Sequence, residues 1–159
     1  MTLAITKDLL SSVFDDSVSY LPDSLRCEGI VFQEKDLSGG ELFVVTAKVP
    51  SDTLVESALS KGATLVLAPE TFRELNSGDS LSVIYCEDPR NASEKICLAY
   101  YSLVQTPLYG VVGGARDREL LAQFLAHLLP GRGQTIDQLG ENLLLETISA
   151  ISRLHDQFD

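Results

Sequence analysis

One segment of the sequence has the residue types that could bind an anion at the start of a helix. A short apolar stretch leads into a glycine turn, and leucines at helical spacing follow; the turn contains Gly113, Gly114, Arg116, Asp117 and Arg118. Backbone N–H groups at a helix start attract negative charge, and the two arginines could add to that attraction. Asp117 repels an anion but can cap a helix. The segment therefore predicts either a weak anion site or a plain turn.

Other side chains that could do chemistry lack partners at informative spacing. No Ser, Cys or Asp is arranged around His127 or His155 in the way that a nucleophilic site requires. The acidic residues near Asp15 and Glu34 lack an ordered set of metal ligands. The three cysteines also lack metal-ligand spacing and are predicted to be reduced thiols in the core: Cys27, Cys86 and Cys97. We therefore expect no catalytic residue and no metal site.

The net charge argues against two classes of partner. Twelve basic and 23 acidic residues give a formal charge of −11, which repels nucleic-acid backbones and anionic membrane surfaces. No apolar run approaches the roughly 20 residues that span a bilayer. Asp15 and Asp16 lie where a signal peptide would need its apolar stretch. We therefore expect a cytoplasmic protein with no nucleic-acid partner and no membrane insertion.

The elements that must position these residues alternate between short β-branched runs and helical periodicity. Such alternation is typical of βαβ units, so an α/β fold is predicted, with a mostly parallel sheet and flanking helices. Strands are predicted at residues 42–46, 64–68, 81–86 and 108–112, and helices at 51–61, from 91 to Pro107, and from 120 to Pro130. The length of 159 residues fits one domain with an appended element.

Capping residues delimit two of these helices. Ser51 or Asp52 can cap the start of the first helix, and Gly62 can end it. Asn91, with Glu94 three residues later, forms a variant capping box, which predicts that the next helix begins there. The apolar face of that helix is predicted to comprise Ala92, Ile96, Ala99, Tyr100 and Leu103.

A final amphipathic helix is predicted at about residues 141–157. Its apolar face forms a candidate interface of Leu144, Ile148, Ile151 and Phe158. This face could pack on the chain's own sheet, the more usual arrangement for such a stripe, or meet the same face of a second copy. We expect residues 1–106 to form one domain, with residues 107–159 packed against it as one unit.

The segment from Gly29 to Val45 resembles the N-terminal part of Mur ligases, especially the enzyme that adds the third residue of the peptidoglycan stem peptide. Most of the match lies in Gly40, Glu41, Leu42, Phe43 and Val44. The helix-Gly-Ala-strand stretch at residues 58–67 and the strand with its Asp-x-Arg turn at residues 83–90 continue it in the same order. The resemblance covers about residues 28–129. It implies a Mur-ligase N-terminal domain followed by the start of an ATP-binding domain.

The resemblance implies a nucleotide-sugar site, but the residues at that position differ from the family's. Gln33, Glu34 and Lys35 stand where the family has Asp-Ser-Arg, whose Ser helps to hold the uridine nucleotide. Glu34 and Asp36 would discourage a diphosphate, whereas Lys35 and Thr46 could assist its binding. Both a retained site for a UDP-sugar and a plain surface turn therefore stay open.

The resemblance also implies a phosphate loop, in which a Lys neutralises phosphates and a hydroxyl binds Mg²⁺. This chain has Asp117 at the Lys position and Arg118 at the hydroxyl position, and Arg116 replaces a glycine. Unit charges about 4 Å apart interact by about 4 kcal/mol at an effective dielectric of about 20, so the reversed charge should cost several kcal/mol of phosphate affinity. The chain also lacks the length for the ligases' remaining domains. We expect no cofactor and no catalysis.

These observations favour a catalytically inactive Mur-ligase-like protein that acts as a protein-interaction or regulatory scaffold in cell-envelope or polymer biosynthesis. Its partner would be another protein or a second copy of the chain. The alternative is a sensor that binds a UDP-sugar-type nucleotide without catalysis. A third hypothesis, a working ligase or ATPase, requires a partner chain that supplies the missing domains.

Overall fold

The structure, a computed structural model, describes residues 4–47, 52–74, 82–104 and 120. The strands in this part of the chain are β1 (Ile5–Thr6), β2 (Arg26–Cys27), β3 (Ile30–Val31), β4 (Leu42–Val44), β5 (Leu65–Pro69) and β6 (Val83–Cys86). The α-helices are α1 (Lys7–Phe14), α2 (Asp52–Ser60) and α3 (Pro89–Val104). Short 3-10 helices cover Asp15–Val18, Glu34–Asp36 and Glu70–Phe72.

The sheet is parallel, and its strands follow one another in chain order. β3, β4, β5 and β6 are hydrogen-bonded neighbours in that sequence, with Ile30 opposite Leu42 and Leu67 opposite Ile84. Neighbouring parallel strands are joined by crossover connections, and α2 lies in the crossover between β4 and β5. This arrangement confirms the predicted α/β class with a mostly parallel sheet and flanking helices. β1 and β2 form a separate antiparallel pair that the sequence did not predict.

The alternation of side chains along each strand divides the core into two layers. One layer lies under α1 and α3, and its sheet residues are Ile30, Leu42, Val44, Leu65, Leu67 and Ile84. The other layer lies under α2, and its sheet residues are Val31, Phe43, Val45, Val66, Ala68 and Val83. The continuous apolar runs in the sequence reflect burial on both faces, as expected of a parallel sheet.

The start of α3 differs from the prediction. The helix begins at Pro89, and the side chain of Asp88 accepts a 3.0 Å hydrogen bond from the backbone N–H of Asn91. Asp88 therefore caps the helix, and the prediction that it begins at an Asn91 capping box is wrong. Proline suits the first helical position because it lacks an N–H that would otherwise be left unpaired. The Asp88-Pro89 pair was a sequence signal for this start that the prediction did not use.

The buried face of α3 also differs from the predicted one. Leu103 is 58% exposed, whereas the buried side chains are Ala92, Ser93, Ile96, Cys97 and Tyr100. Ala99 is half-buried. Leu103 has the helical spacing of a core residue but lies in the last turn of α3. Periodicity identifies a face, but how far the neighbouring elements extend along it decides which residues are covered.

Several predictions concern residues outside the described part of the chain. They are the strand at 108–112, the glycine turn that follows it, the helix from 120 to Pro130 apart from Leu120 itself, the helix at 141–157 with its candidate interface, and the division between residues 106 and 107. Among the described residues, no helix has the length and apolar character needed to cross a membrane.

Candidate functional site

The residues predicted for a nucleotide-sugar site follow neighbouring strands at the same edge of the sheet. Gln33, Glu34 and Lys35 begin two residues after the end of β3, and Thr46 lies two residues after the end of β4. β3 and β4 are parallel, so their carboxyl ends meet at one edge, the usual location of ligand sites in such sheets. Gln33, Lys35 and Thr46 are exposed, whereas Glu34 is half-buried. The structure therefore brings the predicted residues to one edge of the sheet.

The carboxylate of Glu34 is bound by side chains of its own chain. Its Oε2 accepts a 3.1 Å hydrogen bond from the Ser57 hydroxyl and also pairs with the ammonium group of Lys61. The hydrogen bond from Lys61 lowers the pKa of Glu34 most, burial opposes it, and the Ser57 hydroxyl and the Lys61 charge lower the pKa further. Glu34 thus ties its 3-10 helix to α2. Three of the four predicted residues, Gln33, Lys35 and Thr46, remain open to solvent at this edge.

The other half of the same edge carries negative charge. Glu70 follows β5, and Asp88 follows β6. Burial, and then the charges of Asp88 and Glu70, raise the pKa of the Cys86 thiol to about 11, although a backbone hydrogen bond from Asp88 lowers it slightly. Both carboxylates therefore lie near Cys86. Glu70 pairs with Arg73 at 3.2 Å, so only part of this negative charge would repel an anionic ligand along this half of the edge.

The cysteines are free thiols, as predicted. Cys27 and Cys97 are buried, whereas Cys86 is half-buried. Burial and the charge of Glu41 raise the pKa of Cys27 to about 12, and burial raises that of Cys97 to about 11. A raised pKa keeps a thiol protonated, and the thiolate is the nucleophilic form. These thiols are therefore poorly suited to nucleophilic chemistry at neutral pH.

At the opposite edge of the sheet, a glycine turn at residues 38–41 joins three segments of the chain. The N–H of Gly40 donates a 2.9 Å hydrogen bond to the carbonyl oxygen of Gly62, at the end of α2. The carbonyl oxygen of Gly40 accepts one of 2.9 Å from the N–H of Glu28, just before β3. The N–H of Thr64, just before β5, donates to the carbonyl oxygen of Glu41 at 2.9 Å. The residues that carry most of the family resemblance thus position strands.

Glu41 is the buried charge that holds this turn, and the sequence did not predict its role. Its side chain accepts hydrogen bonds from the N–H and hydroxyl of Ser38 and, at 2.9 Å, from the N–H of Gly39. Burial raises the pKa of Glu41, but the hydrogen bonds from Ser38 and from the backbone together lower it below its ordinary value. Ser38-x-x-Glu41 has the spacing of a capping box, in which the acidic side chain also accepts from the Ser N–H. That spacing was the available signal.

A second polar cluster lies beside β6. The hydroxyl of Tyr20 donates a 2.7 Å hydrogen bond to the carbonyl oxygen of Val83, and the guanidinium of Arg73 lies 5.2 Å from the ring centre of Tyr85. Burial raises the pKa of Tyr20, Arg73 lowers it and Tyr85 raises it further, so the three side chains are close together. The hydrogen bond fastens the segment after the Asp15–Val18 helix to the sheet.

The described residues contain no group of three or more His, Cys, Asp or Glu side chains arranged to hold a metal ion. The glycine turn with Gly113, Gly114, Arg116, Asp117 and Arg118 lies outside the described residues, as do both histidines. In comparisons with known proteins, no family model matches the chain, and no curated protein matches it. The resemblance to Mur ligases accordingly depends on the residues of the sequence alone.

Proposed function

We propose that the chain is a catalytically inactive Mur-ligase-like protein that acts as a protein-interaction or regulatory scaffold in cell-envelope or polymer biosynthesis. The observation that carries this proposal is the contrast between the two edges of the sheet. At one edge, the turn at residues 38–41, which has the family-like sequence, is hydrogen-bonded to the segments before β3 and β5 and to the end of α2. At the other edge, where a nucleotide-sugar would bind, Glu34 and Glu70 are paired within the chain, and the positive charge of Lys35 lies next to the negative charge of Asp36.

The glycine turn at residues 38–41 supports a structural role for the family-like segment. Gly40 and Gly62 both have positive φ, 101° and 98°, a backbone conformation that favours glycine. The carboxylate of Glu41, a residue that is 4% exposed, accepts hydrogen bonds from the N–H groups of Ser38 and Gly39, which offset the cost of burying its charge. Such local chemistry fixes the relative positions of β3, β4 and β5 without any ligand.

The ligand edge supports the absence of catalysis. Glu34 pairs with Lys61, Glu70 pairs with Arg73, and Asp88 caps α3, so these three carboxylates are engaged within the chain. In the sequence, Asp117 stands where the family's phosphate loop has Lys. A reversed charge at that position weakens phosphate binding, and no Ser or Thr is available at the neighbouring position to bind Mg²⁺.

Phosphate release from Mg²⁺-ATP by the full chain tests the loss of catalysis. We expect no release above the buffer rate, for the wild type and for an Asp117→Ala variant alike. Turnover by the wild type that disappears in Asp117→Ala would overturn the proposal and favour the ligase or ATPase hypothesis.

The mass of the chain in solution tests the scaffold role in its self-associating form. If the predicted apolar face meets a second copy, light scattering gives a dimer mass that Ile148→Asp converts to a monomer mass, because the charge falls on that face. Ser149→Asp adds the same charge on the other side of the predicted helix and should leave the mass unchanged. A monomeric wild type would exclude the second copy as partner and leave a different protein in that role.

The second candidate function is a sensor for a UDP-sugar-type nucleotide. It is favoured by the exposure of Gln33, Lys35 and Thr46 at the carboxyl ends of two neighbouring parallel strands. Lys35 would attract a diphosphate, and Gln33 and Thr46 could hydrogen-bond a base or a sugar. The sensor and the scaffold differ in one measurable property, the affinity for UDP.

A further inference from the structure

We draw no further inference here: the strongest candidate, the surface patch formed by the exposed apolar side chains of Leu98 and Leu103 on α3, carries none because nothing in the described part of the structure shows what covers it.

Discussion

Gly62 and Gly39 approach each other so closely that a Cβ atom on Gly62 would lie 3.2 Å from the Cα of Gly39. The contact brings the end of α2 against the turn that precedes β4, where the N–H of Gly40 donates to the carbonyl oxygen of Gly62. Gly62 therefore meets two separate demands, a positive φ and a lack of space for a side chain.

Gly62→Ala should destabilise the chain more than Gly39→Ala does. Both residues have positive φ, which costs a residue with a Cβ about 1–3 kcal/mol. A Cβ at Gly39 meets open space, whereas one at Gly62 meets backbone that must shift. Urea unfolding should give a loss of about 1 kcal/mol for Gly39→Ala and about 2–3 kcal/mol for Gly62→Ala. Equal losses would mean that the close approach has no energetic consequence.

Glu41→Gln should lower the free energy of unfolding at neutral pH by about 1–3 kcal/mol. The amide group would replace one acceptor with a donor, which faces the donors Ser38 and Gly39. Glu56→Gln, at an exposed position of α2, serves as a control and should change stability little. Urea unfolding at neutral pH measures both variants, and equal losses would contradict the role assigned to Glu41.

The same carboxylate should make stability depend on pH. The folded-state pKa of Glu41 lies below its ordinary value of 4.5, so its contribution is fully present above that value and is lost as the pH falls through the folded pKa. The stability difference between wild type and Glu41→Gln should therefore shrink on acidification below pH 4.5. A difference that stayed constant to strongly acidic pH would show that the charge of Glu41 does not matter.

The ion pair between Glu34 and Lys61 should contribute only modestly to stability. The two side chains are 25% and 49% exposed, so water and salt weaken their attraction. A double-mutant cycle with Glu34→Gln and Lys61→Met should give a coupling of about 0.2–1 kcal/mol that decreases in high salt. As a control, a cycle that combines Glu34→Gln with Lys95→Met on α3 should show additive changes in the free energy of unfolding. Zero coupling in the first cycle at low salt would contradict the conclusion that the ion pair stabilises the contact between the 3-10 helix and α2.

The sequence predicted several elements whose signals are local, but it did not predict α1, although Thr6 caps that helix by accepting a hydrogen bond from the N–H of Leu9. The apolar runs at β4, β5 and β6 and the end of α2 at Gly62 were identified because periodicity and glycine act over a few residues. β1, β2 and β3 were not predicted. Each has only two residues, and β1 and β2 pair with each other across about 20 residues. Strand pairing over that separation leaves little trace in the composition of either strand.

The candidate site could be predicted only in part, for a related reason. Gln33 and Thr46 lie at one edge because β3 and β4 are parallel neighbours, and the sequence predicted β4 but not β3. The engagement of Glu34 by Ser57 and Lys61 joins residues 23 and 27 positions apart, and no local pattern predicts which face of α2 meets the turn. From its charge alone, Glu34 was expected to repel a diphosphate. In the structure, its carboxylate links the Glu34–Asp36 3-10 helix to Ser57 of α2 and to Lys61.

The affinity of the full chain for UDP and a UDP-amino sugar, measured by titration calorimetry, tests the central claim most directly. Lys35→Glu provides the variant at the candidate site, and Lys95→Glu, at an exposed position of α3, provides a control with the same change of charge. A non-catalytic scaffold predicts no heat of binding for the wild type or for either variant. Binding in the micromolar range that is lost in Lys35→Glu and retained in Lys95→Glu would contradict the scaffold and show that the chain senses a nucleotide.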